Sequence, residues 1–340
     1  MRVAFFNTKK YDRQYFDQCN KKFNFDITYF KPLLELETAK LAFGFDAICV
    51  FVHDDVSRQV LELLKEHGIK LIVLRCAGFN NVDIKSAQSL GVGVARVPAY
   101  SPQGVAEHAL GLMLTLNRKI YKAYHRVREG NFSLEGLVGF ELGSKTIGVV
   151  GGGKIGSVMI KILIGMGCKV LVFDPIKNEA ITALGAQYVS FEELLNQSDV
   201  ITLHAPLTKE NYHLIDTDSI KRMKKGVMLI NTSRGALIDT RAIITGLKSG
   251  RIGYLGLDVY EEEEHLFFED YSEQIIQDDV FARLMTFPNV VITSHQAFLT
   301  DQALLTIAET TLQNVQDFQE GKLSEINKVS YVEEPKKKDG

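Results

Sequence analysis

Short apolar and β-branched runs recur along the chain with room for one helix between each pair. Residues 2–7, 47–51, 70–74 and 91–96 are the first four. Between the second and third, Val56, Val60, Leu63 and Leu64 repeat near the helical period, and a more polar helix is expected over 12–22. Strands alternating with helices predict parallel βαβ units, so the first hundred residues read as one small α/β domain. Pro98 and Pro102 then break the pattern, and Ser101 with Pro102 makes a helix start. The helix predicted there runs to about Arg128, apolar at Ala106, Leu110, Met113 and Leu114, and stops near Gly130-Asn131. A second series follows, with candidate strands at 146–150, 169–173, 200–203, 227–230, 254–257 and 290–293. Six strands with intervening helices predict a doubly wound sheet. Residues 261–279 form an irregular acidic insertion, anchored by Leu266-Phe267-Phe268. A last helix over 300–320, apolar at Leu304, Ala308, Leu312, Val315 and Phe318, ends at Gly321, a suitable cap residue. The charged end, 331–340, is expected to be disordered.

Composition changes this picture little. A length of 340 residues suits two domains, each with its own core. A net charge of −3 gives no electrostatic case for nucleic acid or a membrane surface. Cys19, Cys49, Cys76 and Cys168 are scattered and without C-x-x-C spacing, as expected of reduced thiols in the cytosol. The apolar patch at 3–6 is too brief for a signal-peptide core, and no run reaches membrane-spanning length. No His/Cys/Asp set has metal-ligand spacing. The chain reads as cytoplasmic, with no metal.

The run at 147–150 ends in Gly151-x-Gly153-x-x-Gly156, and a second apolar run, 170–173, is closed by Asp174. Strand, glycine turn, helix, second strand and acid together make the dinucleotide fingerprint. Gly151 permits the tight turn, Gly153 lets the backbone approach a pyrophosphate, and Gly156 lets the helix from Lys154 pack on the sheet. The helix N-terminus favours the phosphates. Asp174 argues for NAD, because a carboxylate accepts ribose hydroxyls and repels a 2′-phosphate; nearby Lys177 keeps NADP conceivable.

Ligands of such a sheet sit outside the carboxyl ends of its strands. Three strands after the fingerprint end in chemistry: Asn231-Thr232-Ser233-Arg234-Gly235, Asp258 followed by Glu261 to Glu264, and Ser294-His295-Gln296. Reducing a 2-oxo acid needs a hydride, a proton for the carbonyl oxygen and an anchor for the carboxylate. Arg234 can supply the anchor through two parallel N–H···O bonds. His295 can supply the proton, and an adjacent glutamate, Glu263 or a neighbour, would favour the imidazolium. Each has a plainer reading: phosphate binding for Arg234, a structural role for His295, a solvated acidic run for Glu263.

These motifs carry a resemblance. The chain resembles the D-isomer-specific 2-hydroxyacid dehydrogenases over nearly its whole length, and within them the bacterial fermentative D-lactate branch. The finer match rests on Arg75-Cys76-Ala77-Gly78-Phe79-Asn80-Asn81-Val82-Asp83, on 97–102, and on the insertion Leu266-Phe267-Phe268-Glu269-Asp270 with 275–281. The resemblance implies Arg234, Glu263 and His295 as catalytic residues. It implies a substrate-carboxylate loop at Cys76-Ala77-Gly78 that uses backbone N–H groups, with Tyr100 and Phe298 shaping the pocket. Beside the three glycines it implies Lys154, Ile155, Asp174, His204, Ala205, Pro206, Asn211, Thr232, Ser233 and Asp258 as cofactor contacts. Many relatives follow the catalytic glutamate with proline; here Glu264 follows, which leaves Glu262 and Glu264 as lesser claimants.

The expected architecture is two doubly wound parallel-sheet α/β domains with a cleft between them. Residues 1–99 plus 299–332 form a flavodoxin-like substrate domain, 100–298 a Rossmann NAD domain, and 333–340 a tail. The expected reaction is pyruvate to D-lactate with NADH. Rivals are a relative acting on a bulkier 2-oxo acid, glyoxylate or hydroxypyruvate, and an NAD(H)-sensing protein of the corepressor kind. A homodimer or homotetramer is expected, with neither nucleic acid nor membrane as partner.

Overall fold

The structure, a computed structural model, describes residues 1–268 and 270–331. It divides into two compact units, Met1–Ser101 with Leu299–Gly340, and Pro102–Phe298. The tail expected at 333–340 lies outside the described residues.

The first unit holds one parallel sheet of five strands, β1 (Arg2–Phe5), β2 (Asp26–Tyr29), β3 (Ala47–Val50), β4 (Leu71–Leu74) and β5 (Gly93–Ala95). Their order is β2-β1-β3-β4-β5, as in flavodoxin-like folds. β3 and β4 are buried at every position, because helices cover both faces, and so they read as continuous apolar runs. The pattern passed over β2. Its four residues lie at the sheet edge and alternate exposed with half-buried, so they form no apolar run. The chain returns to this unit through the helix Asp301–Gln319, which packs on the helix Lys10–Phe23.

The second unit holds seven parallel strands: β6 (Thr146–Val150), β7 (Lys169–Phe173), β8 (Gln187–Tyr188), β9 (Val200–Leu203), β10 (Val227–Asn231), β11 (Ile252–Leu257) and β12 (Val290–Ile292). Six were expected; the addition is β8, two residues long at an edge. The order β12-β11-β10-β9-β6-β7-β8 reverses direction between β6 and β9. That switch point opens a crevice at the strand ends where a dinucleotide binds.

The long helix expected to reach Arg128 is a correction. It stops at Arg118, and after Lys119, held in the left-handed region at φ 51°, a second helix covers Ile120–Arg128. Neither glycine nor proline marks the break. Its cause is tertiary: buried Asn117 exchanges two 2.8 Å hydrogen bonds with the backbone of Phe140 and so draws that loop against the helix end.

Candidate active site

At the crevice, Gly151 follows β6 with φ 98°, and a Cβ there would lie 2.7 Å from the His204 carbonyl carbon. A Cβ on Gly156 would lie 1.9 Å from the Gly151 oxygen, so helix Lys154–Gly165 reaches the strand this closely only through glycine. Gly153 differs: its Cβ position faces open space, as a pyrophosphate cradle requires. Lys154 and Ile155 open the helix beside it. Asp174, just past β7, accepts from the N–H groups of Gly152 at 2.6 Å and Ile176 at 2.7 Å, which fixes the acid against the glycine turn.

Loops after β9 and β10 complete this side. Asn211 accepts from the Thr208 N–H and donates to the Pro206 carbonyl, both at 2.7 Å, and so shapes the turn that follows Ala205. Ser233 donates its hydroxyl to the Ala205 carbonyl and ties the two loops together. The Thr232 hydroxyl and His204 Nδ1 are buried without a hydrogen-bond partner. Buried polar groups left this way are rare, and here both follow the ends of strands that border the crevice. Together with the open cradle they fit a bound dinucleotide. Burial pushes the His204 pKa down to about 4, so its ring is neutral at pH 7; its Nε2 sits 2.9 Å from the Thr202 hydroxyl.

Asp258, expected as a cofactor contact, is fully buried. Its carboxylate accepts from the Thr293 hydroxyl at 2.5 Å and from the N–H groups of Gln296 and Ala297 at 2.9 Å. His108 Nε2 lies 3.4 Å away and 3.0 Å from the Thr293 hydroxyl. Burial works to raise the Asp258 pKa, but the hydrogen bonds from His108, Thr293 and Ala297 outweigh it and hold the acid below its usual range. Asp258 therefore fixes the segment that carries His295.

That segment delivers the imidazole. His295 has φ 52°, and its N–H donates to the Asp258 carbonyl at 2.7 Å. Its Nδ1 is 2.7 Å from Glu263 Oε1, with both side chains less than one-fifth exposed. Glu263 starts a single helical turn, Glu263–His265, and its other oxygen accepts the Tyr260 N–H at 2.9 Å. With Nδ1 turned to the carboxylate, Nε2 is the nitrogen that can face a substrate.

The acidic run separates cleanly. Glu261 belongs to His213, 2.5 Å away, and to the Thr240 hydroxyl at 3.0 Å, whereas Glu262 and Glu264 are exposed. Only Glu263 of the four contacts His295. No sequence signal marked the pairing of His213 with Glu261. Arg234 lies in the loop after β10, which the buried Asn231 side chain folds by bonding the Arg234 carbonyl at 2.8 Å and the Ser233 N–H at 3.0 Å. Gly235 passes so close to the Tyr260–Glu261 peptide that a Cβ would meet its carbon at 2.1 Å. The arginine loop and the glutamate turn are thus packed backbone to backbone. Phe298 is buried, its ring edge-on to His295 at 6.5 Å.

In the first unit, Cys76-Ala77-Gly78 forms the loop after β4. The Cys76 thiol donates to the Gly78 carbonyl at 3.2 Å, and Arg96 donates to the Ala77 carbonyl at 2.9 Å. Tyr100 is half-buried beyond β5. Among the described residues, no His, Cys, Asp or Glu cluster is arranged to hold a metal.

A parallel dinucleotide sheet with an arginine, a carboxylate and an imidazole at successive strand ends defines an NAD-dependent oxidoreductase. A family profile described as "D-isomer specific 2-hydroxyacid dehydrogenase, NAD binding domain" matches residues 110–297. The D-lactate dehydrogenase of Escherichia coli K12 is 56% identical over 321 residues, 94% of this chain and 98% of its own. The apo-structure of the Escherichia coli D-lactate dehydrogenase superposes with TM-score 0.89 at 52% identity, covering 97% of this chain and 100% of its own. An Aquifex aeolicus D-lactate dehydrogenase complexed with NAD and lactic acid gives TM-score 0.86 at 34% identity, covering 97% and 100%. The chain belongs to the D-isomer specific 2-hydroxyacid dehydrogenase family, and its cofactor is NAD.

Proposed function

We propose that this chain reduces pyruvate to D-lactate, with the proton coming from His295. The contact between His295 and Glu263, carried by the loops after adjacent strands of the NAD-binding unit, is the observation that carries the reading. Similarity to D-lactate dehydrogenases over almost the whole chain supports the substrate and the product's hand. NADH, held at the glycine turn and Asp174, supplies the hydride when bound.

The chain's own residues do the rest. Arg234 grips the substrate carboxylate by its planar fork, and its Nη1 contact to the Ser233 carbonyl at 2.8 Å keeps the guanidinium oriented. His295 donates from Nε2 to the carbonyl oxygen, while Glu263 on Nδ1 fixes tautomer and aim and offsets the imidazolium charge. Neutral His204 adds no competing charge. Lactate leaves with one added hydride and one added proton, and NAD⁺ remains.

The test is NADH oxidation by the purified protein with pyruvate, against 2-oxo-isocaproate and phenylpyruvate. A higher kcat/KM for pyruvate is expected. Preference for a bulkier acid would move the chain to another activity of its family, and NADH binding without turnover of any 2-oxo acid would sink the enzymatic reading. A homodimer or homotetramer and a cytoplasmic location belong to the same reading. Ile120, Tyr124, Val127, Phe132, Leu134 and Val138, each more than half exposed, offer a face that a second copy can cover. Light scattering at monomer mass would remove the dimer.

A further inference from the structure

Two successive phenylalanines in the acidic insertion have parted roles. Phe267 is buried, edge-on to Phe281 at 5.9 Å, in the core beneath β10 and β11. Phe268 is half-buried, and its ring lies 5.9 Å from that of His295, tilted by 34°. The turn that sets Glu263 also sets this placement. The Glu263 carbonyl accepts the N–H groups of Leu266 and Phe267 at 3.0 and 2.9 Å, and the chain then enters the left-handed region at Phe268, φ 70°. A bulky side chain rarely adopts that conformation, and strained residues of this kind gather at functional sites. Both rings pack on that core, Phe267 within it and Phe268 partly buried against it. The second is held, at a conformational cost, against the catalytic imidazole.

We propose that Phe268 is a specificity-determining residue: with Phe298 it encloses the His295 imidazole and limits the substrate to a small group on the carbonyl carbon. The inference rests on the proposed role of His295 as proton donor. A donated proton requires the substrate oxygen within about 3 Å of Nε2, so the substituents of the reacting carbon lie within van der Waals reach of rings beside the imidazole. Phe268 lies 5.9 Å from His295 at an interplanar angle of 34° and Phe298 6.5 Å away at 78°, so the imidazole has two aromatic neighbours, one tilted and one edge-on. A methyl group fits such an enclosure better than a branched or aromatic one.

Phe268→Gly is the first variant: it removes the ring, glycine adopts φ 70° without strain, and any effect of the relaxed backbone on the chemistry is common to both substrates and cancels in their ratio. The readout is the ratio of kcat/KM for 2-oxo-isocaproate to that for pyruvate. One methylene in an apolar pocket discriminates by about tenfold or more, so the ratio should rise at least tenfold. Phe268→Leu, which removes less volume, should move it the same way by less, and keeps the inference testable if the glycine variant is poorly folded. Phe267→Leu, a core substitution, should lower the melting temperature and leave the ratio in place. An unmoved ratio in folded Phe268 variants, with wild type active on pyruvate, overturns the role of Phe268 alone. Wild type inactive on every 2-oxo acid removes this inference together with the proposed function.

Discussion

Replacing Glu263 by glutamine leaves an acceptor facing His295 Nδ1 but takes away the charge; replacing it by alanine removes both. The contact is 2.7 Å long, and its groups are 18% and 15% exposed, so solvent screens it little. The second carboxylate oxygen is occupied by the Tyr260 N–H, which keeps the group from swinging away. A hydrogen bond to a charged group contributes about 1.5–3 kcal/mol, and each 1.4 kcal/mol is tenfold in rate. If the interaction acts in the transition state, Glu263→Ala should lower kcat/KM for pyruvate by about ten- to a hundredfold. Glu263→Gln should lose the smaller part of that. The assay is steady-state NADH oxidation at saturating NADH, with Glu262→Gln and Glu264→Gln as exposed controls that should stay near wild type. Should Glu263→Ala remain within threefold while either control carries the loss, the assignment of the carboxylate is wrong.

Three further outcomes follow from packing and charge. Gly156→Ala puts a Cβ on the Gly151 carbonyl, backbone against backbone, so helix Lys154–Gly165 must shift and the NADH Kd should rise at least tenfold; an unchanged fluorescence titration would refute this. His204 has a folded pKa near 4 against 6.5 unfolded, so its stabilisation is complete above pH 6.5 and is lost as pH falls toward 4, by about 3 kcal/mol at most. His204→Phe should therefore flatten the fall in melting temperature over that window, and parallel pH profiles would show that the ring is not held neutral. Asp258→Asn sets amide hydrogens against the N–H groups of Gln296 or Ala297, and should lower kcat and melting temperature with the NADH Kd within threefold. A raised Kd at unchanged melting temperature would place Asp258 at the cofactor and not in the support of His295.

What the pattern revealed and what it hid have physical reasons. β6, β7 and β9 were readable to the residue because strands covered on both faces need apolar side chains throughout and stop where the sheet meets water. Edge strands need no such run, which is why β2 and β8 escaped notice. The glycines at 151 and 156 were legible because only glycine admits those approaches, at 2.7 and 1.9 Å. Arg234, Glu263 and His295 were legible as residue types at strand ends. Their separation from plausible neighbours came only through the resemblance: whether Glu262, Glu263 or Glu264 faces His295 depends on one turn of chain, and the pairing of Glu261 with His213, 48 residues away, carried no signal. Asp258 was expected at the cofactor on the family resemblance. Its burial follows from the Thr293, Gln296 and Ala297 donors, which no spacing announces.

The same limit explains where the strain lies. Besides Lys119 at the helix break, the described residues with positive φ that are neither glycine nor asparagine are His213, Phe268 and His295. Each such residue costs on the order of 1–3 kcal/mol and persists only if its surroundings over-determine it. His295 is held by the Asp258 carbonyl on its own N–H and by the Asp258 carboxylate on the next two. His213 is held by the Ala236 carbonyl and by Glu261. Phe268 follows a turn closed on the Glu263 carbonyl. In each case the restraint runs to the chain segment that carries Arg234, Glu263 or His295. Strain at these three positions is therefore tied to the aim of the three site residues, and a substitution that relaxes any one of the backbones without touching a site side chain should still reach the chemistry.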